Sequence, residues 1–134
     1  MTPEQRAAQV RLVVLDVDGV LTDGRLYYGP QGEALKVFDV RDGHGIKMLL
    51  GHGIDVAILS ARTSPIVAQR ARELGISRVL QGRGDKAAGF RELLGGSNVA
   101  AAETAFVGDD LPDLPVLLQA GFAATVDDAC DEVK

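Results

Sequence analysis

Two aspartates one residue apart, Asp16 and Asp18, stand directly before a glycine in the run Asp16-Val17-Asp18-Gly19-Val20-Leu21-Thr22. They follow Arg11-Leu12-Val13-Val14-Leu15, an apolar run with the length and β-branching of a buried strand. The carboxylates therefore leave the C-terminal end of a strand, in the crevice where open α/β sheets bind ligands. Gly19 lets the backbone turn sharply and expose its amides. Carboxylates are hard oxygen donors suited to Mg²⁺. One can also attack phosphorus and form an aspartyl phosphate. A neighbouring carboxylate can then act as general acid toward the leaving alcohol and as base toward water.

Three more polar signals recur at strand ends or at a helix start. Ser60 follows Ile54–Leu59, Lys86 opens a helix behind Asp85, and Gly108-Asp109-Asp110 with Asp113 follows Thr104–Val107. Ser60 offers a hydroxyl to phosphoryl oxygens, and Lys86 a point charge that can neutralise nucleophile and phosphate together. Asp16 and Asp109 can grip a cation. Taken singly, each has an ordinary structural role: turn chemistry for Asp-x-Asp, a cap or strand end for Ser60, a solvated helix lysine, a turn and cap at Asp109. Two carboxylates together at a strand end are costly without a cation, however. Phosphoryl transfer needs little beyond positioning and charge neutralisation, which these four signals supply when a parallel sheet brings its strand ends to one edge.

The elements that position them read as follows. Residues 2–9 are a polar or helical lead-in. Arg25–Tyr28 and Glu33–Phe38 flank Gly29-Pro30-Gln31-Gly32, a hairpin signal, so residues 24–40 form a hairpin flap after the first strand. Asp42 is placed to cap the next helix, with Ile46, Leu49 and Leu50 as its apolar positions. Ser64-Pro65 opens a helix that Gly75 closes. Strand and helix then alternate through Ser77–Leu80, Asp85–Leu94, Thr104–Val107, Leu114–Gln119 and Phe122–Val126. The expected fold class is α/β, a three-layer Rossmann-like, mostly parallel sheet. The 134 residues suit one domain, 1–134. A net charge of −5 and 4% aromatic residues argue against nucleic acid or an anionic membrane as partner. The single cysteine, Cys130, excludes a disulfide framework or a cysteine metal site. Met1–Arg6 has no apolar signal core and no stretch suits a bilayer, so cytoplasm is the expected location.

These residues resemble the four motifs of the haloacid dehalogenase superfamily of phosphatases. Asp23-Gly24, Tyr27-Tyr28, Gly32-Glu33, Lys36-Val37-Phe38, Val40–Ile46, Ser60-Ala61-Arg62 and Gln81-Gly82 are further similar to the 3-deoxy-D-manno-octulosonate 8-phosphate phosphatase branch. The likeness runs from about Arg11 to Val126. It implies Asp16 as nucleophile and Asp18 as acid/base. It implies Mg²⁺ on the Asp16 carboxylate, the Asp18 carbonyl and Asp109, with Asp110 and Asp113 in support. Ser60, Lys86 and Gly19 would bind the phosphoryl group, and Arg62 the carboxylate of a sugar acid. Members of this branch lack a large cap and form homotetramers in which the hairpin meets neighbouring subunits. The spacing agrees, since only 43 residues separate Asp16 from Ser60, and the hairpin and one helix use most of them. The implied substrate is a phosphorylated sugar acid of eight carbons, with a nine-carbon acid or a tetramerising regulatory module as alternatives. Two departures from the branch are Ala61 in place of its usual glycine and an end at Lys134, where relatives continue through a further strand, helix and tail.

Overall fold

The computed structural model describes residues 2–109, 113–126 and 131. Among the described residues, seven strands and five α-helices follow one another: α1 (Pro3–Ala8), β1 (Leu12–Leu15), β2 (Tyr27–Gly29), β3 (Gly32–Leu35), α2 (Val40–Gly51), β4 (Asp55–Leu59), α3 (Pro65–Leu74), β5 (Arg78–Leu80), α4 (Lys86–Gly95), β6 (Thr104–Val107), α5 (Leu114–Leu117) and β7 (Phe122–Ala124). Five of the strands form one sheet in the order β5-β4-β1-β6-β7, and every pairing in it is parallel. From β1 the chain builds outward through β4 and β5. It then returns to the other side of β1 for β6 and β7. The direction of winding reverses at β1, and that reversal opens a crevice at its C-terminal end.

Alternation along β1 sends its side chains to two cores. Leu15 joins Val56 and Ile58 beneath Ile46 of α2 and Val67, Ala71 and Leu74 of α3. Leu12 and Val14 join Ala57, Leu59 and Phe106 beneath Phe90 and Leu93 of α4 and Val116 of α5. Helices thus cover both faces, which parallel strands need because they are apolar on both sides.

Strands β2 and β3 form a separate antiparallel pair closed by Pro30-Gln31, with a bulge between Tyr27 and Tyr28. The hairpin signal is met, but its second strand stops at Leu35 and Val40 already belongs to α2. The expected cap of α2 is corrected as well. Asp39, not Asp42, is the N-cap, its carboxylate accepting from the Arg41 amide at 2.7 Å. Asp42 lies in the first turn, where burial and then the Asp39 charge push its carboxyl above the usual range. Helix α3 has the expected ends: Ser64 caps it, and Gly75 leaves it at φ +84°. Among the described residues, no helix is long and apolar enough to cross a membrane.

Candidate active site

Strand β1 runs one residue further than its ladder, because the Asp16 amide donates to the Val107 carbonyl of β6 at 3.1 Å. The chain then winds into a tight turn, with the Val20 and Leu21 amides both donating to the Val17 carbonyl. Gly19 sits in that turn at φ +86°, and a Cβ there would fall on the Asp109 carboxylate. Only glycine lets the β1 turn and the end of β6 come this close. The amides of Gly19 and Gly24 each donate to Thr22 Oγ1 at 3.2 Å, which keeps the turn closed.

Lys86, the first residue of α4, reaches back across the sheet end. Its Nζ donates to Asp16 Oδ1 at 3.1 Å and to Asp113 Oδ1 at 2.7 Å. All three side chains are nearly closed to solvent, and Asp113 is 1% exposed. Burial pushes the Asp16 carboxyl up to about 7, and the Asp113 charge adds to the rise. The Lys86 ammonium and the Val17 amide, which donates to Asp16 Oδ1 at 2.8 Å, act the other way without cancelling it. For Lys86, burial disfavours the ammonium. The charges of Asp16 and Asp113 outweigh that and hold its pKa above the usual lysine value. Asp113 also accepts from the Asp109 amide at 3.1 Å through Oδ2.

Ser60 directly follows β4 and is buried. Its Oγ accepts from the Arg62 amide at 3.3 Å. The Ser60–Ser64 loop is stitched to the loop after β5. The Arg83 amide donates to the Ser60 carbonyl and the Gly82 amide to the Arg62 carbonyl. The Gln81 carboxamide clasps the Ser64 backbone from both sides: Oε1 accepts from its amide at 2.8 Å and Nε2 donates to its carbonyl at 3.1 Å.

Asp16, Asp18, Ser60, Arg62, Lys86, Asp109 and Asp113 line one cleft of about 260 Å³ at the end of the sheet. Asp110 lies outside the described residues. Two residues at the site, Lys36 and Glu33, are not among the site residues expected from the sequence. Lys36 Nζ donates to Asp18 Oδ1 at 2.7 Å and to Glu33 Oε2 at 3.1 Å. Arg62 spans the same two carboxylates at 3.6 and 3.5 Å. A Glu33-x-x-Lys36 pair in a short hairpin is their only local signal. The contact with Asp18 exists because the segment after β3 folds back against the turn after β1.

Asp16, Asp109 and Asp113 each offer a carboxylate oxygen, and the three atoms lie within 4.8 Å of one another. An all-oxygen, anionic donor set of this kind fits Mg²⁺. Both Asp113 oxygens already accept hydrogen bonds, from Lys86 and from the Asp109 amide. This suits Asp113 to orienting its neighbours.

The parallel sheet reversing at β1 is the architecture of haloacid dehalogenase superfamily hydrolases. One such protein from Legionella pneumophila superposes with a TM-score of 0.93 at 38% identity. More closely, 3-deoxy-D-manno-octulosonate 8-phosphate phosphatase KdsC of Yersinia pestis is 47% identical over 125 residues, 93% of this chain and 67% of that protein. KdsC of Haemophilus influenzae is 45% identical over 131 residues, 98% of this chain and 73% of that protein. The Moraxella catarrhalis phosphatase, solved in complex with a magnesium ion, a phosphate ion and a KDO molecule, superposes with a TM-score of 0.95. It is 39% identical, with 98% of this chain and 76% of that one covered. No family model matches the chain. The chain belongs to the 3-deoxy-D-manno-octulosonate 8-phosphate phosphatase family.

Proposed function

We propose that the protein hydrolyses 3-deoxy-D-manno-octulosonate 8-phosphate to the free sugar acid and inorganic phosphate, with Mg²⁺ as cofactor. The observation that carries this reading is the single cleft in which Asp16 and Asp18 meet Lys86, Ser60 and Arg62. Naming of the relatives and the Mg²⁺, phosphate and KDO bound by one of them support it.

Asp16 is the nucleophile. One of its oxygens attacks phosphorus, and the bond to the sugar oxygen breaks. Asp18 gives its proton to that oxygen as the alcohol leaves. A water then attacks the aspartyl phosphate, Asp18 takes the water's proton, and phosphate departs with Asp16 regenerated. Lys86 keeps the Asp16 carboxylate oriented and offsets the charge collecting around it. Ser60, which lines the cleft, would donate its hydroxyl to phosphoryl oxygens, and the Gly19 amide would join it by giving up its bond to Thr22 Oγ1. Mg²⁺ would be held by the Asp16 and Asp109 carboxylates and the Asp18 carbonyl, with Asp110 and Asp113 in support. When bound, it supplies positive charge to the phosphoryl oxygens and neutralises the carboxylates. Arg62 is the group for the substrate carboxylate, since a planar guanidinium matches a carboxylate's two oxygens. The active assembly is a homotetramer.

Release of phosphate from eight- and nine-carbon sugar acid phosphates, with Mg²⁺ or with EDTA, tests the reading. We expect Mg²⁺-dependent turnover that favours the eight-carbon ester. Asp16→Asn abolishes it and leaves the circular dichroism spectrum unchanged. Turnover that survives in Asp16→Asn removes Asp16 as nucleophile, and a preference for the nine-carbon ester reassigns the substrate.

A further inference from the structure

Asp18 carries the proton in the proposed reaction, and the side chains that hold its carboxylate come from other parts of the chain. Lys36 approaches Oδ1 at 2.7 Å from the segment after β3, and Arg62 approaches Oδ2 at 3.6 Å from the loop after β4. The two cations differ in burial. The Arg62 side chain is 40% exposed and lines the cleft. That of Lys36 is 3% exposed, does not line the cleft, and has its second bond to Glu33 of the hairpin. A covered ammonium shared between two carboxylates is oriented toward protein and away from a ligand in the cleft. Its geometry is set by a charge-assisted hydrogen bond at each side.

We propose that Lys36 is the positioning residue for Asp18. It holds that carboxyl group in the orientation from which the proton passes to the leaving alcohol, and Glu33 anchors Lys36 from behind. The inference rests on the phosphatase reading above. It adds that the hairpin is coupled to the chemistry through one side chain, which touches Asp18 and does not touch substrate.

Proton donation matters for some esters and not for others. An alkoxide is a poor leaving group and needs the proton, whereas p-nitrophenolate departs without it. Lys36→Met should therefore lower kcat on an alkyl phosphate, the sugar acid ester or a simple polyol phosphate, by about tenfold or more. It should change kcat on p-nitrophenyl phosphate by less than about threefold and leave both KM values within about twofold. Asp18→Asn serves as benchmark, with the same selectivity on a larger scale. Lys36→Arg, which keeps a donor cation, restores most of the loss on the alkyl ester. Lys36→Gln keeps a donor without the charge and carries the same readout if the methionine variant does not fold, with a smaller selective loss. An equal fall on both esters, or an unchanged ratio of the two, overturns the positioning role while the phosphatase reading stands. Absence of phosphate release from either ester by the unaltered protein overturns both.

Discussion

Asp16 is the residue on which the site's electrostatics turn. A carboxyl whose ordinary value is 3.8 is pushed up to about 7, mainly by burial, even with an ammonium at 3.1 Å. In the metal-free protein the native state therefore binds a proton at Asp16 that the unfolded chain has lost. This holds from about pH 4 to about pH 7, and protein stability falls as pH rises through that window. Above about pH 7 the native carboxylate is ionised and its full burial cost is present. Asn at this position cannot ionise. In EDTA, Asp16→Asn should gain stability relative to the unaltered protein as pH is raised from 5 to 8. Paired urea titrations at each pH measure the difference, and a gap that is constant or shrinks with pH contradicts it. At this scale the sequence was most legible where a side chain sits at a strand end. Asp16, Ser60 and Asp109 come together because β1, β4 and β6 are parallel neighbours. The Asp18–Lys36 contact was not legible, since no local rule states where a hairpin tail lands.

At the scale of elements, the cleft depends on two loops that hold each other. Ser60–Ser64 follows β4, and residues 81–85 follow β5 and lead into Lys86 at the head of α4. Backbone bonds from Gly82 and Arg83 join the loops, and the Gln81 clasp on Ser64 closes the seam beside the cap of α3. Movement of one loop displaces a donor on the other. Gln81→Leu keeps the side chain's size and removes both bonds. It should cost about 1–2 kcal/mol, since each net hydrogen bond is worth about 1 kcal/mol. It should also raise KM for the ester, because Ser60 and Arg62 lose their common frame. Denaturant unfolding and steady-state kinetics read the two effects. A variant with the original stability and KM shows that the seam holds without the carboxamide. Helix α2 shows why one start signal was misplaced. Asp39 and Asp42 are both competent caps, and Gly43 and Gly45 weaken the propensity of the first turns. Tertiary packing of Phe38 beneath the Arg70 guanidinium, 5.9 Å from the ring centroid, brings the chain in early enough for Asp39 to cap.

At the scale of the whole molecule, the parallel sheet is self-sufficient and the hairpin is not. The sheet has helices on both faces and two apolar cores. Strands β2 and β3 are a two-stranded pair outside that sheet, an arrangement marginal in water unless something covers it. Leu26, Tyr28, Leu35 and Val37 stand near half exposure or above it, and Val40 just beyond is 81% exposed. Lys36 ties the tail of the hairpin to Asp18 and Glu33, which orients it, while these apolar side chains stay about half exposed or more. The proposed homotetramer covers it with the hairpins of neighbouring subunits. Glutamate at two of these positions would then place charges inside an apolar interface, where each is expensive unless paired. Tyr28→Glu combined with Leu35→Glu should convert a species of four chains into one of one or two in sedimentation velocity. Both sites are exposed in the isolated chain, so the sheet domain should keep its circular dichroism spectrum. Turnover should fall together with assembly, because a hairpin without its neighbours no longer holds Lys36 steadily against Asp18. An unaltered protein that sediments as one chain at micromolar concentration rejects the tetramer, and a double variant that remains four chains moves the interface away from the hairpin.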